Sequence, residues 1–224
     1  MVRYIIVDLE MNKVDKKFKD ERKICYQEII EIGAVMLNDR YQEISRFQTY
    51  VKPQYAEEIR RNITRLTGIT TEMVADAPIF SEAMKQFTEW CFSFEGECQV
   101  QAWSDSDLQQ MLSEIALKKY KVNENQMELI ENWNNFQDEY IKKIGFERVV
   151  SLEKALYYAG LDFEGQQHDA LSDAANTAEL LRIVRNQHLF EEHLQVAKEA
   201  LETKSLGNTL GSMFEFSGLL ETIA

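Results

Sequence analysis

Residues 28–38, EIIEIGAVMLN, are apolar at consecutive positions rather than at alternate ones. A strand of that kind is buried on both faces. The chain must therefore build a sheet with helices layered on each side, and its 224 residues suffice for this without disulfide or metal staples. Residues 4–9 read as a short β-branched strand, and residues 43–51 as a third, stopped by Pro53. Asp39, Arg40, Tyr41 and Gln42 make a hairpin-sized connection between the second and third.

Helical spacing follows. Phe80, Ala83, Met84, Phe87, Trp90, Cys91 and Phe94 recur as one face of a helix with Ser81 as its cap. Residues 98–103 read as a strand, Leu108 to Ile115 as a helix, and residues 127–136 as the region of a last strand. Ser151 opens a short helix that Gly160 closes, and Leu171, Ala174, Ala178, Leu181 and Val184 mark a long one over 169–189. The order βββ-α-β-α-β-α-α predicts an α/β fold, a mixed sheet flanked by helices. Residues 1–189 form its domain. Residues 190–224 add an amphipathic helix (Leu194, Ala197, Leu201) and an apolar, glycine-spotted tail from 209, which would dock on the body or on a protein partner.

Three acidic groups stand out. Asp8 and Glu10 lie two apart at the end of the first strand, so both point to one face. They are either solvated at the strand end or a pair of hard oxygen ligands for Mg²⁺ or Mn²⁺. Asp105 and Asp107 follow the fourth strand. Ser104 to Asp107 has capping-box spacing, which accounts for an acid there without function, while the alternative is a third carboxylate delivered to the same sheet edge. His168, Asp169 and Asp173 open the long helix. Asp169 suits a cap and Asp173 a first-turn acid, but His168 is also the chain's best general base and Asp173 a fourth hard ligand. Ala170, Ala174 and Ala175 would let this helix lie close on the sheet. His188 and His193 read as solvated. Four oxygen ligands with a histidine suit a site for two metal ions about 3.5–4 Å apart, acting on a phosphodiester.

In this order the motifs Ile6-Val7-Asp8-Leu9-Glu10-Met11, Trp103-Ser104-Asp105-Ser106-Asp107-Leu108 and His168-Asp169-Ala170-Leu171-Ser172-Asp173-Ala174 resemble those of the DEDDh 3′→5′ exonucleases, DnaQ-like proteins of RNase H-like fold. Leu66-Thr67-Gly68-Ile69-Thr70, the strand from Glu28 to Val35 and Asn176 also look like that family, and the nearest subgroup is the histone-mRNA exonucleases and KapD-like proteins. The likeness spans roughly residues 3–189. It implies a five-stranded RNase H-like sheet and a catalytic set of Asp8, Glu10, Asp107, Asp173 and His168. Asp8 would bridge two divalent ions, Mg or Mn. Glu10 and Asp173 would hold the first, on the side of the attacking water, and Asp107 the second, beside the leaving 3′ oxygen. His168 would deprotonate the water. Asp107 is preferred to Asp105 because an apolar residue, Leu108, follows it. Leu9, Met11, Thr67, Gly68 and Ile69 would hold the terminal nucleotide of single-stranded RNA or DNA, RNA by a narrow margin, with a nucleoside 5′-monophosphate released. Asn62 and Ser106 stand where animal histone-mRNA members carry two base-stacking aromatics, so the base grip differs. A regulatory protein-binding module that retains the fold is the competing reading.

Charge opposes a nucleic-acid partner. The chain carries −13, and two divalent ions would bring it only to about −9. The surplus is assigned to residues 138–147 and 191–202, with Arg60, Arg61, Arg65, Lys118, Lys119 and Lys121 as a positive rim. Cys25, Cys91 and Cys98 are odd in number and lack metal spacing, so they read as reduced thiols in a cytoplasm. No apolar run approaches the ~18 residues of a membrane span, and the first residues lack a signal-peptide shape.

Overall fold

The computed structural model describes residues 2–146 and 148–193. In chain order its elements are β1 (Val2–Lys13), α1 (Glu21–Ile24), β2 (Gln27–Leu37), β3 (Glu43–Tyr50), α2 (Arg61–Thr67), α3 (Thr71–Ala75), α4 (Phe80–Cys91), β4 (Glu97–Ala102), α5 (Asp105–Lys118), α6 (Glu124–Glu131), β5 (Trp133–Asn135), α7 (Phe136–Ile144), α8 (Leu152–Tyr158) and α9 (Ala170–Arg185). The sheet runs β3-β2-β1-β4-β5. β1 pairs antiparallel with β2 and parallel with β4, so the sheet is mixed, as expected.

Both faces are covered. Ile5, Val7 and Leu9 of β1 join Ile32, Ala34 and Met36 of β2 under Phe80, Met84 and Phe87 of α4 and Met111 of α5. On the opposite face Ile6, Val35 and Leu37 meet Phe136, Tyr140, Leu156, Ala174, Ala178 and Leu181 from α7, α8 and α9. Side-chain alternation along β1 thus places Asp8 and Glu10 on the α9 side. A register shift follows immediately: Glu10 opposes Glu31, but Met11 opposes Ile29. The extra residue, Ile30, feeds a small third core with Ile59, Ile63, Ile69 and Val74 beneath α2 and α3.

Several expectations need correction. β1 continues to Lys13, so Asp8 and Glu10 lie within the strand and not at its end. Ser81 sits in the first turn of α4; the cap position is Ile79, whose N–H donates to the Glu82 carboxylate at 3.3 Å. The 127–136 region does hold the last strand, β5, but only over three residues, with the end of α6 before it. The long helix stops at Arg185, and Asn186 separates it from a further helical stretch at 187–193. His188 is exposed, but His193 is half-buried, with Nδ1 2.5 Å from the Ala159 carbonyl oxygen. Lys118 is buried beside Glu28 and 3.7 Å from Glu114, so it offers nothing to a phosphate. Cys25, Cys91 and Cys98 are free and buried. The terminal amphipathic helix and apolar tail lie outside the described residues. Among the described residues no helix is long and apolar enough to cross a membrane.

Candidate active site

The site forms where α9 crosses the sheet, and Gly33 permits the crossing. Gly33 opposes Asp8 in the β1–β2 register. A Cβ there would lie 2.2 Å from the Ala170 carbonyl carbon and the Leu171 nitrogen. The anticipated small residues of α9, Ala170 and Ala174, are fully buried against the sheet, and Gly33 supplies the matching absence on the strand. Glu31, also buried, accepts from the Ala170 N–H at 3.2 Å and from Gln48 Nε2 at 2.7 Å. Asp169 caps α9, accepting from the Ser172 N–H at 2.9 Å.

This docking brings together Glu10, Asp173 and His168, whose ligand-capable atoms all lie within 4.8 Å of one another. His168 is exposed and sits at φ 61°, a left-handed conformation rare for a residue with a side chain. Two clamps hold its loop. Buried Asn176 accepts from the Glu164 N–H at 3.0 Å and donates to the Glu164 carbonyl at 2.8 Å. Gln166 Nε2 donates to the Thr67 carbonyl at 3.1 Å. Asn176→Ala should cost about 2 kcal/mol, because it removes the three hydrogen bonds that its buried amide makes to Glu164 and Ser172, and should lower turnover more than substrate affinity. Denaturant titration beside a kcat and KM determination checks both.

Asp107 is buried and does not close the capping box. Ser104 accepts from the Ser106 N–H instead, and Asp107 Oδ1 accepts from the Leu9 N–H at 3.2 Å, between Asp8 and Glu10 in the chain. Asp105 is exposed. Leu9 is buried with that N–H committed, while Met11 is partly exposed. Thr67 and Ile69 are buried and bonded to each other, the Ile69 N–H to Thr67 Oγ1 at 3.0 Å; Gly68, exposed at φ 79°, is the accessible member of that turn. Asn62 and Ser106 are exposed.

The electrostatics are those of an unneutralised acid cluster. Burial raises Asp8 well above the usual carboxylate range, and Asp107, Asp173, Glu10 and Glu31 add to the effect. Burial first, then Asp173 and Glu31, pushes Glu10 up to about 9. Burial likewise lifts Asp107 to about 7, against the Leu9 N–H that lowers it, and Asp173 to about 6. The charges that bear most on Asp8 are all carboxylates. An all-oxygen donor set of this kind, with a histidine beside it, fits a hard divalent cation.

A pH dependence follows. These acids have folded pKa values above their unfolded ones near 4. Their contribution favours the fold at low pH and is lost as pH climbs through about 6, 7 and 9. The metal-free protein should therefore lose stability from pH 5 to pH 9. A bound cation displaces the protons, so the rise in Tm given by Mg²⁺ should grow over the same interval. Thermal melts with and without Mg²⁺ at three pH values check this; a constant or absent shift contradicts it.

Residues 5–181 match the family described as Exonuclease, RNase_T. The chain belongs to this exonuclease family. ERI1 exoribonuclease 2 of Xenopus laevis is 32% identical over 197 residues, which cover 79% of this chain and 27% of that protein. The 3′-5′ exoribonuclease 1 of Rattus norvegicus is 27% identical over 166 residues, covering 68% and 45%. The chain thus spans less than half the length of these curated relatives. Among solved structures, a 3′-exonuclease described in 3′-end-specific recognition of a histone mRNA stem-loop superimposes with TM-score 0.71 at 21% identity, over 83% of this chain and 64% of that one. The nuclease domain of 3′hExo, a DEDDh family member bound to rAMP, gives TM-score 0.67 at 23% identity, over 80% and 90%. These likenesses establish the exonuclease fold, an RNase H-like mixed sheet flanked by helices, in agreement with the resemblance drawn from the motifs.

Within this exonuclease fold, sequence reasoning missed three supporting residues. Glu31 carried a signal, being an acid inside an otherwise apolar strand. Gly33 and Gln48 carried none, because each acts on a helix distant in sequence.

Proposed function

We propose that the protein is a divalent-metal-dependent 3′→5′ exonuclease acting on single-stranded nucleic-acid ends, RNA in preference to DNA, and releasing nucleoside 5′-monophosphates. The observation that carries this reading is the convergence of Glu10, Asp173 and His168 within 4.8 Å, beside Asp8 and Asp107, in a cluster whose carboxylates raise one another's pKa values. Asp8, Glu10, Asp107 and Asp173 would hold one or two Mg²⁺ or Mn²⁺ ions. Such ions supply charge stabilisation at the phosphoryl oxygens and activation of water.

The remaining work falls to the chain. His168, exposed and fixed by its loop clamps, would accept the proton of the attacking water, a contribution of about 10²–10⁴-fold. The exposed turn at Gly68 and the partly exposed Met11 would border the terminal nucleotide. The likeness to exoribonucleases supports the preference for RNA. The test is incubation with 5′-labelled single-stranded RNA and DNA in Mg²⁺, in Mn²⁺ and in chelator. A ladder shortening from the 3′ end, absent in chelator, is the expected result. Intact strands in both metals would overturn the proposal.

A further inference from the structure

Three residues beyond Glu10, β1 ends at Lys13, about 10 Å further along the strand at the usual rise per residue. Lys13 pairs with Gln27, which places Tyr26 beside it. Tyr26 is 50% exposed, and two cations converge on its ring: Lys13 Nζ at 5.3 Å and the Arg22 guanidinium at 4.6 Å from the centroid. Arg22 also donates to the Val14 carbonyl at 3.0 Å, which fixes it there. Among the described residues neither cation has an ion-pair partner, although the chain has 38 acids to 25 bases. Two like charges held on one aromatic ring leave an anion's place open. The hydroxyl between them is correspondingly acidified, by Lys13 more than by Arg22.

The surroundings agree. Residues 13–23 hold six lysines and arginines against three acids, a local +3 on a molecule of −13. On the other flank of β1, buried Asn12 accepts from the Arg60 N–H at 3.1 Å, so exposed Arg61 stands at the same strand end. The positive surface thus begins where the acid cluster stops and continues the line of β1.

We propose that Lys13, Arg22 and Tyr26 form a phosphate-binding subsite that holds the backbone of single-stranded nucleic acid a few nucleotides 5′ of the scissile end. This rests on the exonuclease reading and deepens it. A few local phosphate contacts would let a strongly acidic protein hold a strand that its overall field repels. Diesters nearer the 3′ end would not reach the trio, so affinity depends on length.

The test is binding of 5′-fluorescein oligoribonucleotides of two and eight residues to the full chain, by anisotropy in chelator so that no strand is cut. The wild type should bind the octamer at least tenfold more tightly than the dimer. The double variant Lys13→Ala, Arg22→Ala should lose about tenfold on the octamer and nothing on the dimer. The magnitude of its log K against log salt slope should fall by about 1. Tyr26→Phe should give a smaller loss of the same length dependence. The control Arg40→Ala, Lys154→Ala removes the same net charge elsewhere and should leave octamer binding unchanged. An octamer affinity equal in the wild type and the Lys13, Arg22 variant, an equal loss on both lengths, or an equal loss in the control would overturn the subsite. Cleavage assayed separately in Mg²⁺ reports on the exonuclease reading itself: octamer binding through the trio without cleavage would sink that reading and leave the subsite standing.

Discussion

Replacing Gly33 with alanine should destabilise the protein by about 3 kcal/mol and lower nuclease turnover at least ~100-fold. The added Cβ would meet backbone, 2.2 Å from Ala170 C and Leu171 N and 2.6 Å from Ala170 O, so no side-chain rotation relieves it. β2 is an interior strand, bonded to β1 and β3, and cannot retreat. α9 must move instead. It carries Asp169 and Asp173 and is continuous with His168, so a shift near 1 Å separates them from Asp8 and Glu10 on β1. It also stretches the bond from the Ala170 N–H to Glu31. The measurement is a denaturant midpoint beside turnover well below Tm. Turnover near wild type would mean that the geometry of α9 is not what assembles the site.

That glycine also marks how far the sequence could be read. The continuous apolar run around it announced a strand buried on both faces, and β2 is one. The acids were legible as residues, and their burial was not. Asp107 looked like a capping acid, because Ser104 to Asp107 has that spacing; only the fold shows Asp107 turned to the Leu9 N–H, 98 positions away. The contact between Glu31 and Ala170 spans 139 positions and leaves no periodic trace. Lys118 looked like a surface cation because Lys119 and Lys121 stand beside it in the chain, yet Glu28, on a strand far upstream, draws it inside. Helices α1 and α3, of four and five residues, and the three residues of β5 are too short to leave a periodic pattern of their own. Local periodicity therefore reported the layers and the order of the motifs. The pairing between distant segments, which makes the motifs a site, had to come from the structure.

Asp8→Asn should have two effects of opposite sign. Turnover should fall at least ~100-fold, the scale of losing one preorganised charge at a reacting phosphoryl group. The metal-free variant should nonetheless be more stable than wild type at pH 8, by about 1 kcal/mol or ~3 °C for a chain of this size. The reason is the crowd around Asp8. Burial and the neighbouring Asp107, Asp173, Glu10 and Glu31 all raise its pKa, so ionising it in the fold costs free energy that the unfolded chain does not pay. Asparagine keeps the volume and removes the charge. The gain should vanish near pH 4, where Asp8 is protonated in the fold and the crowding is silent. Saturating Mg²⁺ should then reverse the order of stabilities, since the wild type gains binding free energy that the variant has lost. Melts at pH 4 and pH 8, with and without Mg²⁺, measure all four terms. An acid that was merely solvated or capping would leave both Tm and its response to Mg²⁺ unmoved. Strain that persists at pH 8 until a divalent cation relieves it is what separates a site kept for function from an acid kept for structure.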